Sequence, residues 1–380
     1  LPVPDLESRL RRELAARVAR PAPPRLPLRI REATTRRPAT RGRERWIIGF
    51  AAAVAAAVVL CSLTSFLLRS GWGPSFGPAA QPAGPSPRDD PALAYDADHG
   101  VVLLFGGRAP SKDYPEDTLV WDGRGWHRLS PAHHPTGRSY ALTAFDVAHH
   151  VVVLFGGEDD DGYTRLQDTW TWDGQDWTRV AADGPTFAPL RSAMAYDPAY
   201  GQVLLVTPGA GVDAKTETWA WDGHAWRQIP VAGPDIQQFA AMGLDRASNR
   251  DVLITTPEYA DSGAPGSPTT WTWGRGGWSR VDSAVTPPAL GAGLATDPVS
   301  GHLLVFNGGR LYWSWTGAGW RKSKVAGSDL VIGGCACAAG DARAGVVLHF
   351  GGHYFPALPQ SPGLYATWTW TAAGGWRQVG

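Results

Sequence analysis

Glu158, Asp159, Asp160 and Asp161 stand side by side, with Tyr163 and Arg165 close behind. Clustered carboxylate oxygens are what a hard cation such as Ca²⁺ takes, yet the ligand spacing of a calcium loop is missing and a solvated acidic loop accounts for the same residues. Other groupings with chemical potential are Tyr114, His133-His134, Tyr259 with Asp261, and His353-Tyr354-Phe355. The last of these suits sugar stacking, protein recognition or plain loop exposure. Cys335 and Cys337, two apart, point the same way if they lie on a strand, but two thiols are an incomplete metal site and both replace small residues, so packing is their first reading. No serine nucleophile elbow, zinc-type His-Glu motif or phosphate loop occurs. The expectation is a non-enzymatic chain with no resident metal or cofactor.

The elements that must position these residues follow from an internal period. Aligned on one tryptophan, the chain repeats at Trp126, Trp177, Trp226, Trp278, Trp320 and Trp376. Before each lies an aromatic strand and a short turn, as in Trp170-Thr171-Trp172-Asp173-Gly174. Seventeen of the 19 Trp fall in this hairpin, which makes them core rather than a carbohydrate platform. Further upstream come an apolar strand, such as Val101 to Gly107 or Val151 to Gly157, and before it a small-residue strand ending in Asp96, Asp146, Asp197, Asp245, Asp297 or Asp341.

Each unit thus carries four short strands, with Asp-Gly supplying the positive φ of a tight hairpin turn. Such units cannot each close a core alone; radial stacking buries both faces and leaves short edges. The sequence predicts an all-β, six-bladed β-propeller of four-stranded blades over residues 88–380. Small residues such as Ala92 and Ala94 suit inner strands that converge on the axis, and Trp fills the widening wedge outside. All four strands of a unit run in sequence order, so closure is expected to rest on side-chain packing, without strand exchange.

The glycine pairs Gly106-Gly107, Gly156-Gly157, Gly308-Gly309 and Gly351-Gly352, followed downstream by the aligned Trp, resemble the kelch repeat. Units three and four depart from it with Thr207-Pro208 and Thr256-Pro257. The resemblance implies that the long second-to-third and blade-to-blade loops form the binding face. It places Tyr114, Glu158, Asp159, Asp160, Asp161, Tyr163, Arg165, Tyr259, His353, Tyr354 and Phe355 on that face as ligand-binding candidates. Some kelch propellers resemble the central domain of galactose oxidase, which holds copper by Tyr and His beside a Cys–Tyr crosslink. His349, His353, Cys335 and Cys337 are superficially similar ingredients at a different spacing, so a copper oxidase ranks last.

Charge divides the chain. The 35 basic and 35 acidic residues cancel, but residues 1–45 hold 13 Arg against five acids. The zero total argues against a polyanion-binding protein, and no nucleic-acid partner is expected. Trp46 to Leu68 carries no charge, and its 23 residues span roughly 35 Å as a helix, enough to cross a bilayer. A cleaved signal peptide has a shorter charged region, and Leu60 before Cys61 disfavours a lipoprotein site. Arg36, Arg37, Arg41, Arg43 and Arg45 keep the amino terminus cytoplasmic. The expected layout is a basic cytoplasmic tail (1–45), one transmembrane α-helix (46–68), a Pro/Gly-rich linker (69–87) and an extracytoplasmic propeller (88–380) at the cell membrane.

In the tail, Asp5 caps a helix whose stripe is Leu6, Leu10, Leu14 and Val18, suited to a partner or to anionic lipid. The arrangement is weakly similar to bacterial membrane proteins that accompany extracytoplasmic-function sigma factors. The leading functional expectation is a membrane-anchored module that binds a protein or glycan. The alternative is a transmembrane sensor whose tail binds a cytoplasmic regulator such as a sigma factor.

Overall fold

The computed structural model describes residues 81–82, 84–159, 164–209, 215–256, 267–287, 293–306, 311–325, 338–351 and 365–379. The tail, the apolar segment 46–68 and the first part of the linker lie outside these residues. So do Cys335, Cys337, Asp160, Asp161, Tyr163, Tyr259, Asp261 and His353 to Phe355.

The described part is all strand, arranged as six antiparallel sheets. A two-residue strand, β1 (Gln81–Pro82), precedes blade 1, which comprises β2 (Ala92–Asp96), β3 (Val101–Phe105), β4 (Thr118–Trp121) and β5 (Trp126–Leu129). Blade 2 holds β6 (Leu142–Asp146), β7 (Val151–Glu158), β8 (Arg165–Trp172) and β9 (Trp177–Ala181). Blade 3 follows with β10 (Ala193–Asp197), β11 (Gln202–Pro208), β12 (Thr216–Trp221) and β13 (Trp226–Ile229). In blade 4 come β14 (Phe239–Asp245), β15 (Arg250–Thr256), β16 (Thr269–Gly274) and β17 (Gly277–Val281). Blade 5 contains β18 (Gly293–Thr296), β19 (Leu303–Phe306), β20 (Leu311–Trp315) and β21 (Trp320–Lys324). Blade 6 ends the chain with β22 (Ala338–Asp341), β23 (Val346–Phe350), β24 (Thr367–Thr371) and β25 (Gly375–Gln378).

Within every blade the strands pair in sequence order, and the innermost strands β2, β6, β10, β14, β18 and β22 touch in turn, β22 returning to β2. That ring is the six-bladed β-propeller expected from the repeat. The burial pattern explains which residues go where. In blade 1 the inner strand alternates, the second strand is buried on both sides, and the outer strand is half exposed. A second strand sandwiched between neighbouring blades therefore reads as an unbroken apolar run.

Six hydrophobic clusters each bridge one seam between blades. The cluster closing blade 6 on blade 1 joins Val102, Leu104, Trp121 and Trp126 to Ala339, Leu348 and Phe350. In all six hairpins the two tryptophans stand directly opposite, from Trp121 facing Trp126 to Trp370 facing Trp376. The aligned Trp then donates its indole N–H across the seam to a threonine hydroxyl of the preceding blade. These bonds are Trp177 to Thr118 (3.0 Å), Trp226 to Thr169 (2.9 Å), Trp278 to Thr218 (2.9 Å) and Trp320 to Thr270 (2.9 Å). The ring closes with the same bond, Trp126 to Thr367 at 2.8 Å, across 241 residues of sequence. At the blade 5–6 seam Tyr312 replaces the threonine and its ring packs 5.2 Å from Trp370.

Closure thus needs no exchanged strand. β1, within the segment read as a linker, instead adds a fifth strand to the outer edge of blade 1, with Gln81 opposite Arg128 and Pro82 opposite His127.

Candidate functional site

The two ends of the ring are built differently. One carries the first-to-second and third-to-fourth strand turns, which are short; the first-to-second turns of all six blades and the third-to-fourth turns of blades 1 to 3 are capped by an aspartate. Asp96 Oδ1 accepts the amides of Asp98 and His99, and Asp341 Oδ1 accepts those of Arg343 and Ala344. Asp122 Oδ1 likewise accepts Arg124 and Gly125 amides, beside Gly123 at φ +91°. Burial pulls the Asp122 carboxyl upward, but these amides and His127 outweigh it and hold it below the usual range. The opposite end carries connections that are mostly longer, from four residues between β19 and β20 to sixteen between β23 and β24. That is the face on which the sequence places its ligand-binding candidates.

Blades 1 and 2 meet on this face over two buried arginines. Arg88 lies in front of the first strand of blade 1 and is fully buried. It donates to the Gly106 carbonyl (3.1 Å), to both Asp117 oxygens (2.5 and 3.0 Å) and to Ser86. Arg138 repeats the arrangement in blade 2 with the Gly156 carbonyl (3.0 Å), Asp168 (2.6 and 3.2 Å) and Thr136. Burial pulls Asp117 and Asp168 upward, yet the guanidinium hydrogen bonds and charges win and hold both carboxyls low. Two parallel N–H···O bonds fix orientation as well as charge.

These pins explain the glycine pair. Gly106 and Gly107 sit at φ +66° and +98°, and a Cβ at Gly106 would come within 2.4 Å of the Arg138 carbonyl. The Gly107 amide donates to that carbonyl at 2.8 Å. Only glycine combines the left-handed backbone with so close an approach.

The structure brings part of the candidate set onto this frame. Glu158 and Arg165 face each other at the outermost register of β7 and β8, and the Asp159 amide donates to Thr164. Glu158 is locked by reciprocal amide–carbonyl bonds with Ser139, both 2.9 Å. Burial raises its carboxyl above the ordinary range; Arg165 and Arg108 oppose this, while Asp90 and Asp159 add to it. Tyr114 is half-buried in the β3–β4 loop of blade 1, its backbone against Gly137, whose amide donates to Glu116 at 3.1 Å.

Glu158, Asp159, Arg165 and Arg108 therefore form a mixed-charge patch on a rigid seam, with Tyr114 in the neighbouring loop. It presents acceptors and guanidinium donors for a polar ligand or protein surface. His133 bonds Asp176 at 2.7 Å, and His349 is buried with its ring 5.9 Å from Trp376, inside the blade 6 packing. The Arg–Asp pins escaped the sequence reading although their signal was there: each Arg stands eight residues before the strand-ending Asp, and each Asp four before the third-strand Trp. No protein-family model matches the chain, and no curated protein matches it.

Proposed function

We propose that this protein is a membrane-anchored, extracytoplasmic, kelch-type propeller that binds a protein or glycan through its long-loop face without catalysing a reaction. The observation that carries this reading is the contrast between the two ends of one ring: short capped turns at one end, long unequal loops at the other. Loops raised on a rigid scaffold are where recognition resides in such folds, because their chemistry varies while the core stays constant. The pinned seam of Glu158, Asp159, Arg165 and Arg108 supplies mixed polar groups of the kind a non-obligate interface uses. Anchoring rests on the uncharged run at 46–68 and its arginine flank.

The test is photo-crosslinking on intact cells with the full chain, comparing Arg165→Ala with His150→Ala on the opposite face. Capture of a surface partner is expected to fall at least tenfold for Arg165→Ala and stay unchanged for His150→Ala. Equal capture by both removes the loop-face reading, and a propeller shielded from external protease in intact cells removes the topology. The sensor alternative rests on the Leu6, Leu10, Leu14 and Val18 stripe; it predicts that residues 1–45 retain a cytoplasmic protein.

A further inference from the structure

Six repeats in one chain let each residue be compared with its five counterparts. On the second strand, the residue paired with the one just before the first strand's aspartate is Val102, Val152, Val203, Leu303 or Val347 in five blades. Each is fully buried in a seam. In blade 4 that position is Asp251, opposite Leu244 and 1 % exposed. Neither of its carboxylate oxygens has a hydrogen-bond partner among the described residues. Burying a carboxylate without partners is costly, and a repeat protein with Val available at this position has no structural reason to do it.

A second difference from blades 1 and 2 lies at the same seam. In blades 1 and 2, the third residue after the strand-ending aspartate is a histidine, His99 or His149. Each bonds that aspartate through Nδ1 at 2.8 Å and lies against the third-to-fourth strand turn of the next blade. The fit is close: a Cβ on Gly174 would meet His99 at 2.1 Å, and one on Gly223 would meet His149 at 2.3 Å. In blade 3 the counterpart is Tyr200, 53 % exposed, and the blade 4 residue aligned with Gly174 and Gly223 is the exposed Arg275. Where histidine plugs the two earlier seams, this one opens into a cavity of about 700 Å³ lined by Asp197, Tyr200, Asn249, Asp251, Trp273 and Arg275, among others.

Asp197 is already engaged, accepting the Ala199 amide at 2.9 Å and the Trp273 indole N–H at 3.0 Å. Asp251 is not, and burial together with the Asp197 charge drives its carboxyl well above the ordinary range. What the buried end lacks is a positive charge with N–H donors. The cavity is far larger than a bare ion, and two carboxylates fall short of the six to eight oxygens a hard cation takes. Its size lies within the span of small-molecule sites, and Tyr200 and Trp273 are the rings organic cations favour. Arg250 and Arg275 line the exposed side, where water screens them.

We propose that the seam between blades 3 and 4 binds a small organic amine, its primary ammonium group paired with Asp251. This site lies on the short-turn end and is independent of the loop-face reading. The test is a thermal-shift titration of the full chain with n-butylammonium chloride at neutral pH and constant ionic strength. A saturable rise in Tm is expected, with affinity reduced at least tenfold by Asp251→Val and by Tyr200→His. The first installs the residue four other blades carry, so it folds; the second installs the plug of blades 1 and 2. Any of four results overturns the proposal: no saturable shift up to about 10 mM amine, unchanged affinity in Asp251→Val, an equal shift with n-butanol, or an Asp251-dependent shift with CaCl₂ alone.

Discussion

Blades 1 and 2 bury whole guanidinium–carboxylate pairs, whereas blade 4 buries a carboxylate by itself. Arg88 and Arg138 each satisfy a partner aspartate and a glycine carbonyl, and the pairs hold the loop ends of their blades in place. Asp251 occupies a position that is Val in four other blades, and its carboxylate has no hydrogen-bond partner among the described residues. In a repeat protein, charge buried for structure comes with its partner, and charge buried alone marks a position where the repeat has been given another task.

The largest expected effect breaks the paired side of this contrast. Arg138→Ala strands Asp168 in the core and removes the donors to Gly156 and Thr136, at a cost of about 3–5 kcal/mol in chemical denaturation. The cost has a defined pH dependence. Because the folded-state pKa of Asp168 is held below its unfolded value, the pair's contribution is complete above the unfolded carboxylate range and disappears as pH falls through the folded value. Wild type and Arg138→Ala should converge in acid.

Next comes the seam bond. Thr367→Val leaves the buried Trp126 N–H without an acceptor and should cost about 1–3 kcal/mol. Thr118→Val does the same to Trp177, and equal losses would establish that the closing seam is held like an internal one. A much larger loss at Thr367 would instead mark the closing seam as the weak point of the ring.

Asp251→Val carries the opposite sign. With the folded pKa of Asp251 raised above the unfolded one, the wild type is penalised as pH rises past the unfolded carboxylate value. The variant should therefore be about 1–3 kcal/mol more stable at neutral pH, and the gain should vanish at low pH. Smallest is Arg165→Ala, an exposed residue whose loss should shift stability by less than about 0.5 kcal/mol. Its effect belongs to partner capture alone.

The architecture was legible in the sequence because propeller strands announce themselves by composition. Alanine at the axis, unbroken Val/Leu runs in the second strand and paired Trp outside each reflect how much room the wedge leaves at that radius. The Asp-Gly turns were legible for a local reason, since Asp122, Asp173 and Asp222 bond amides two and three residues ahead. The Trp–Thr seam bonds, the Arg–Asp pins and the open cavity were not read, because each joins residues from 29 to 241 positions apart. A period shows that units repeat; it does not show which atoms of one unit reach the next. Asp251 was visible in principle, as the single charge in a column of Val and Leu, but its meaning depended on knowing that the column faces a seam. Of the loop candidates, Tyr114, Glu158, Asp159 and Arg165 take their places around the first two blades.

The Trp126–Thr367 bond has a further consequence for how this ring tolerates rearrangement. A propeller that closes by sharing a blade between its termini fixes where the chain must begin and end. Here the last seam is chemically the same as four of the others, so the break in the covalent chain is not written into the architecture. Joining the propeller's two ends and reopening the chain at another blade-to-blade connection would preserve every seam, and the circle would have no privileged starting point.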